Sequence, residues 1–258
     1  MLQVIAQNKA GQRISFSGNA HYTLINVTGI TPPTASVNAA NLATKDGSVF
    51  NSSRLNNRNI VMTVLPEGSV ESSRMGIYQV FKSKQYVKLF LYTSARSVYA
   101  EGYVESVNGD LYSMKQRIQI SILCPDPYFK ALESTEVAFD QGHALVDNDS
   151  DDQVGFVTEL SFTGAAENVT IGNATTSESF SVNMEFQNGD KLILNTRRGE
   201  KGVWLERSGE RTSVINHMAV DSDWLNLLTG ENDVTLAVQT GAANVSGKVV
   251  LQSIYEGV

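Results

Sequence analysis

The chain has 258 residues, a formal net charge of −7 and 41% hydrophobic residues, a size that fits one large all-β domain or two domains of ordinary size. No apolar run approaches the ~20 residues a membrane helix needs, and the N-terminal MLQVIAQNKAGQRISF has neither the basic start nor the apolar stretch of a secretory signal or transit peptide. A single cysteine, Cys124, excludes an intrachain disulfide and suits assembly in a reducing cytosol, with the fold held by its core alone.

The net charge hides an asymmetry. Through Lys130 there are 13 Lys+Arg against 7 Asp+Glu, about +6; from Ala131 onward 7 face 20, −13. A sign change between halves points to two domains with different neighbours. The basic residues Arg13, Lys45, Arg58, Lys82, Lys88 and Lys115 are scattered, which reads as solvated surface charge and not as a nucleic-acid patch.

Ile14 to Phe16 and Tyr22 to Thr28 alternate as half-buried strands do. Thr31-Pro32-Pro33-Thr34 breaks the pattern and begins an extended loop. Ser36 to Ser53 is rich in Ala, Asn, Ser and Gly, with a turn signal at Asp46-Gly47. Arg58 to Leu65 is a strand that Pro66 ends. Ser69 to Ser83 is the helix candidate: serines can cap its start, Glu71 suits the N-terminal end of the dipole, and Met75, Tyr78 and Phe81 recur at helical spacing beside Ile77 and Val80. Gly76 weakens it by ~1 kcal/mol of propensity. The apolar stripe is a face for packing on a sheet. Tyr86 to Thr93 is a strand, and Ser97 to Val107 with Leu111 to Leu123 predicts a hairpin turning at Asn108-Gly109.

Cys124-Pro125-Asp126-Pro127-Tyr128-Phe129 cannot lie inside a central strand and reads as a stiff, extended connector. With the charge change at the same point, it sets domains at 1–130 and 131–258, the boundary lying at about 125–135. The second half predicts strands at Phe156–Phe162, Asn168–Ile171, Phe180–Phe186, Lys191–Asn195, Gly202–Leu205, Asp233–Gln239 and Gly247–Tyr255. Turn signals at Asn188-Gly189-Asp190 and Arg198-Gly199 separate them, the spacing of a sandwich or jelly-roll. A short helical turn over Ser222 to Leu228 would carry Trp224.

These pieces, taken in order, resemble the distal tail protein family of phages of Gram-positive bacteria. In the first half they are Asp46-Gly47, Leu55 to Ile60 (LNNRNI), Gly102-Tyr103-Val104-Glu105 and Ile120 to Phe129 (ISILCPDPYF). In the second they are Val154-Gly155-Phe156, Asn188-Gly189-Asp190-Lys191-Leu192, Trp224 to Asn232 (WLNLLTGEN) and Ile254-Tyr255. The resemblance covers nearly the whole chain. It implies a mainly β protein of two domains: an N-terminal β-sandwich with one α-helix, the ring-forming belt domain (1–130), and a C-terminal galectin-like β-sandwich (131–258). It further implies a structural hub at the tail tip or baseplate of the virion, assembled in the host cytoplasm. Its hexameric ring would join the tail tube protein to the tail-associated lysin or fibre protein and to receptor-binding proteins, without nucleic acid or membrane. The chain resembles the short form without carbohydrate-binding insertions.

Sites of chemistry are thin. His21, His143 and His217 lie far apart with no metal-ligand spacing, and no Gly-x-Ser-x-Gly elbow, phosphate loop or HExxH occurs. Asp147 to Asp152 (DNDSDD) offers alternate carboxylates for calcium. Asp152, however, stands where an EF-hand loop needs its glycine, Thr158 stands at the twelfth position, and the flanks look like strands; the plain reading is a solvated acidic turn. Asn195-Thr196-Arg197 with Trp204-Leu205-Glu206-Arg207 faintly resembles a galectin sugar site, yet Ile193 stands where such a site wants histidine, and a packed Trp204 is the plainer reading. The expectation is therefore a non-enzyme with no catalytic, cofactor or metal residues, the alternative being a carbohydrate-binding module that reads the host cell wall.

Overall fold

The computed structural model describes residues 2–44 and 46–258; Lys45, one of the scattered basic residues, lies outside them. The chain forms two compact units. The first runs through Leu132 and takes back Tyr255–Val258; the second is Glu133–Ile254. The expected division after residue 130 thus falls two residues later, and the last four residues sit with the first unit.

The first unit contains strands β1 (Gln3–Asn8), β2 (Arg13–Ser15), β3 (Tyr22–Thr28), β4 (Ala35–Asn41), β5 (Ser48–Leu55) and β6 (Arg58–Pro66). Helix α1 (Val70–Val80) follows, then β7 (Tyr86–Tyr92), β8 (Ser97–Gly109), β9 (Ile118–Cys124) and β10 (Phe129–Ala131). Seven strands form one antiparallel path, β2-β1-β7-β8-β9-β6-β3, with β10 added to β8. The terminal strands β2 and β3 are neighbours in sequence. Laid flat, they would stand about 29 Å apart at ~4.8 Å per strand gap, and the link between them reaches at most about 25 Å. The sheet must curl, and Phe16, just after β2, meets Tyr22 at 6.0 Å and Phe81 at 5.9 Å. Alternation then fills the interior with Ile60, Met62 and Val64, Val87, Leu89 and Leu91, and Ile118, Ile120 and Ile122.

Helix α1 closes this core with most of the face expected, Met75 excepted. Ser73, Ile77 and Val80 are buried, Phe81 follows them inward, and Met75 is 45% exposed. The i, i+4, i+7 row from Ser73 wins because Ser73 is tied inward, its hydroxyl donating to the Glu67 carbonyl (3.0 Å) and its own carbonyl accepting from the Tyr22 hydroxyl (3.2 Å). The expected serine cap is made by backbone alone: Ser69 stands at the N-cap without a side-chain bond. Gly76 has its reason here, since a Cβ there would lie 2.5 Å from the Tyr22 hydroxyl oxygen.

Two further expectations change. Asn108-Gly109 is not the hairpin turn; Asn108 pairs with Gln119 and Gly109 with Ile118, and residues 110–117 make the connection. A turn at Asn108-Gly109 would have drawn Ser113 to Arg117 into the ladder, whereas the observed register puts the alternating isoleucines of β9 inward. The Ala/Asn/Ser-rich stretch, read as irregular, is the antiparallel hairpin β4–β5. The CPDPYF segment belongs to the first unit's core and is no free connector: Cys124 and Phe129 are both buried.

The second unit is a two-sheet sandwich. Its strands are β11 (Thr135–Ala138), β12 (His143–Asn148), β13 (Val157–Phe162), β14 (Ala166–Asn173), β15 (Glu178–Phe186), β16 (Lys191–Asn195), β17 (Gly202–Arg207), β18 (Glu210–Ser213), β19 (Gly230–Thr240) and β20 (Val245–Leu251). One sheet has the order β11-β20-β13-β16-β17-β18, the other β12-β19-β14-β15. Inward residues of both interdigitate: Phe162 of the first stacks on Phe186 of the second at 4.2 Å and 5°. The helical turn expected over 222–228 does not form. That segment is extended, with Leu225 and Leu227 buried and Leu227 exchanging backbone bonds with Val154 (2.8 and 3.0 Å). Burying two leucines one residue apart suits an extended chain and not a helix.

Candidate assembly surfaces

A buried arginine organises one end of the first unit. Arg58, 2% exposed, donates only to main-chain carbonyls: Nε to Pro127 (2.7 Å), Nη1 to Gly29 (2.5 Å) and Thr31 (2.8 Å), Nη2 to Glu256 (2.6 Å). Its guanidinium stacks on Phe129 at 4.2 Å. Burial lowers its pKa from the ordinary arginine value, yet four acceptors in a planar fan keep it satisfied. The returning tail is held twice more, by Arg96 stacked on Tyr255 (4.0 Å) and donating to the Gly257 carbonyl (2.7 Å), and by the Val258 amide on Ile30 (3.1 Å). Two family-like segments, LNNRNI and CPDPYF, thus meet the chain's last residues at one clamp. Beside it, burial pushes the Cys124 thiol up to about 12, and it stays protonated and inert.

The second unit is tied by three buried asparagines that sequence reading did not single out as a set. Asn148 Nδ2 donates to the carbonyls of Leu227 (3.2 Å) and Leu228 (3.1 Å). Asn173 Nδ2 donates to Asn226 (2.8 Å) and to Asn232 Oδ1 (3.3 Å). Asn232 accepts from the Leu228 amide (2.9 Å) and donates to Leu228 (2.7 Å) and Gly230 (2.8 Å) carbonyls. The WLNLLTGEN segment is therefore a pinned loop. The signal lay in Asn residues at the ends of apolar alternation, where a buried amide can satisfy a loop's main chain.

The acidic turn is also put to structural use. Asn148 and Ser150 are buried; the Asn148 side chain accepts from the Ser150 amide (3.1 Å), the Ser150 hydroxyl from the Ile254 amide (3.0 Å), and Asp149 from the Ser253 hydroxyl. Among the described residues no group of three or more His, Cys, Asp or Glu is placed to hold a metal. The histidines stay apart: His143 Nδ1 sits 3.0 Å from both oxygens of Asp233, and His217 Nδ1 3.3 Å from the Asn183 carbonyl.

The sugar-site residues do not converge. Trp204, opposite Ile193, lies over Gly202, where a Cβ would come within 2.4 Å of the indole. Arg211 covers the ring at 4.7 Å. Arg207 turns to the buried Asp190 (2.6 and 2.8 Å), and Asn195 is engaged with the Arg197 amide (2.9 Å) and Glu200 (3.3 Å). Trp224 packs against Phe180 at 5.1 Å.

Exposed apolar side chains gather in two places on the first unit. One is the 110–117 connection, where Leu111, Tyr112 and Met114 stand in solvent. The other is the β4–β5 hairpin, with Val37, Val49 and Phe50. Such surfaces are what a subunit of an assembly presents.

The model of the siphovirus-type tail component, C-terminal domain, matches residues 149–248. Over those residues the chain is similar to a siphovirus tail component. The match lies wholly inside the sandwich unit, while likeness in fold extends over both units. The SPP1 Dit (gp 19.1) protein, described as a paradigm of hub adsorption apparatus in phages infecting Gram-positive hosts, is 12% identical with a TM-score of 0.76, over 98% of this chain and 99% of that one. Chains of the phage P2 baseplate in its activated conformation with Ca and with Sr are each 8% identical over 100% of both chains, with TM-scores of 0.53 and 0.52. No curated protein sequence matches. The fold here is mainly β throughout.

Proposed function

We propose that this chain is a siphovirus distal tail protein and a non-enzymatic hub. It closes into a homo-oligomeric ring, six-membered as the family resemblance implies, that joins the tail tube protein to the tail-associated lysin or fibre and to receptor-binding proteins. The first unit (1–130 in the sequence reading) forms the ring as the belt, and the second (131–258) is the outward galectin-like sandwich. The observation that carries this reading is the end-to-end likeness in fold to a protein described as a hub of adsorption. The exposed apolar surfaces of the first unit support it, because a ring needs a contact between two different patches. The second unit then serves as a rigid protein platform, and the occupied Trp204 and Arg207 disfavour sugar recognition on that face. The charge split assigns the basic first unit to an acidic rim on the tail tube.

Light scattering and negative-stain class averages of the purified protein test the ring. Closed rings are expected, as is binding to the tail tube protein that weakens with added salt, since exposed charges are screened. A strict monomer at every concentration that also ignores the tail tube protein overturns the reading.

A further inference from the structure

Four polar side chains of the first unit meet at one open cleft, and the fold uses none of them. The cleft measures about 670 Å³ and is lined by Lys9, Ala10, Lys84, Gln85, Tyr86 and Tyr103, a volume within the ~300–1,000 Å³ range of small-molecule sites. No Asp or Glu is among these lining residues. Two pinned turns supply the lysines. Asn8, 6% exposed, holds the β1–β2 turn that carries Lys9, its side-chain oxygen accepting from the Ala10 and Gln12 amides (3.0 Å each). The turn between α1 and β7 carries Lys84 and is fastened to β8: the Lys84 amide donates to the Val104 carbonyl (2.8 Å) and the Val104 amide to the Gln85 carbonyl (2.9 Å). Lys84 has a left-handed backbone, φ 69°, which a residue other than glycine adopts at a cost, so these bonds set its place at the cleft.

The aromatic wall is equally defined. Tyr86 and Tyr103 stand opposite each other on β7 and β8, their rings 6.2 Å apart and inclined at 77°. The Tyr86 hydroxyl is engaged, donating to Glu101 (2.6 Å), and Lys88 approaches the same carboxylate at 3.7 Å. Burial first, and then the bond to Glu101, push the Tyr86 pKa up, so it stays a neutral phenol. Tyr103 is 51% exposed. Its hydroxyl, the Gln85 side-chain amide and the Lys9 and Lys84 ammonium groups have no partner among the described residues. The cleft thus combines two unpaired positive charges, neutral donors and an exposed ring, with no carboxylate of its own to compete for them.

We propose that this cleft binds a phosphate ester carried on a carbohydrate, the phosphate held by Lys9 and Lys84 and the sugar ring lying on Tyr103. An inorganic anion would use the lysines and leave the ring idle, and a neutral sugar would use the ring and leave both charges unanswered. A ligand that carries both groups answers all of them: ammonium groups make charge-assisted bonds to phosphate oxygens, and the apolar face of a sugar covers a tyrosine ring whose hydroxyl still reaches polar groups. Such an ester occurs as a free sugar phosphate and as the repeating unit of an anionic wall polymer. The site is independent of the ring contact and of the second unit.

Calorimetry on the full chain with glucose 1-phosphate, glucose, inorganic phosphate and a glucosylated poly(glycerol phosphate) tests the site. Glucose 1-phosphate is expected to bind about fivefold or more tightly than glucose or phosphate alone. Lys9→Gln/Lys84→Gln should weaken it about tenfold or more and Tyr103→Ala about fivefold, while Lys115→Gln, a lysine of the 110–117 connection, should bind as the wild type. Both cleft lysines are exposed, so the double variant should melt as the wild type does. Tighter binding of the polymer than of the monomer, lost in the same variants, supports the site and assigns it to a wall polymer; equal binding per phosphate supports it and assigns it to the free ester. The proposal is overturned by no heat from glucose 1-phosphate and polymer at millimolar phosphate, by an equal loss in Lys115→Gln, or by inorganic phosphate binding as tightly as the ester.

Discussion

Arg58 carries more of the first unit's local order than any neighbouring side chain, because one planar group satisfies four carbonyls from three separate stretches of chain. Arg58→Met keeps the stem and the contact with Phe129 but strands those acceptors; a loss of about 3 kcal/mol is expected in urea unfolding. Arg58→Lys, lacking the fan, should recover less than half of it. Gly76 supports a sharper test. In the wild type, Gly76→Ala should destabilise by about 1 kcal/mol, because the methyl meets the Tyr22 hydroxyl. In a Tyr22→Phe background that oxygen is gone, so the same change should stabilise by roughly 0.5–1 kcal/mol through helix propensity. A sign that does not reverse removes the steric account. Asp190 provides the pH test. Hydrogen bonding from Arg207 first, and from the Gln187 amide, holds its carboxyl below the usual range against the cost of burial. A depressed folded pKa means that the unfolded chain binds protons first. The contribution is therefore complete above the ordinary carboxylate value of about 4 and is lost as pH falls through the folded value. Asp190→Asn should flatten that acid-side decline in unfolding curves taken from pH 6 downward, at a cost of about 1.5 kcal/mol at neutral pH.

At the scale of elements, what the sequence showed depended on whether a strand buries one face. β3, β6, β7 and β16 were legible to within a residue or so, because their apolar residues alternate or run together between turn residues. β4, β5 and β18 bury almost nothing, so no alternation marks them; ladder bonds form the β4–β5 hairpin from residues of low strand propensity. The Asn108-Gly109 signal failed for the opposite reason, since a strong local turn preference yielded to the register demanded by three buried isoleucines. The helix was legible, but its inward face was set by Ser73, a polar residue that periodicity discounts. The loop 226–230 shows the same limit: its buried amides come from β12, β14 and β19, which no linear pattern brings together. Asn232→Ala removes the amide with most bonds to that loop. It should cost about 2–3 kcal/mol and raise hydrogen exchange at Leu228 well above that of the strands. Protection at Leu228 equal to the wild type's would show that the loop is held by Leu225 and Leu227 alone.

At the scale of the whole molecule, the chain treats the second unit as an insertion. Leaving the first unit at Leu132 and returning at Tyr255, it opens the second with β11 and closes it with β20, which lie side by side with Thr135 opposite Leu251. On the first unit, both crossing points sit by one corner: the Leu132 amide donates to the Ser97 carbonyl, and Tyr255 lies under Arg96. The entry and exit of the sandwich are thus close enough to be joined directly. A chain in which a short Gly-Ser link replaces Glu133–Ile254 should fold, with the tail 255–258 seated on Arg58 and Arg96. A chain ending at Leu132 keeps every strand of the curled sheet from β1 to β10 but loses the Glu256 and Gly257 carbonyls, the Tyr255 ring and the Val258 amide. It should be less stable than the linked form by about 2 kcal/mol, roughly 8 °C in melting temperature. Equal melting of the two would make the tail a passenger. The expected difference would make it the piece that commits the first unit to its fold only after the second has been completed.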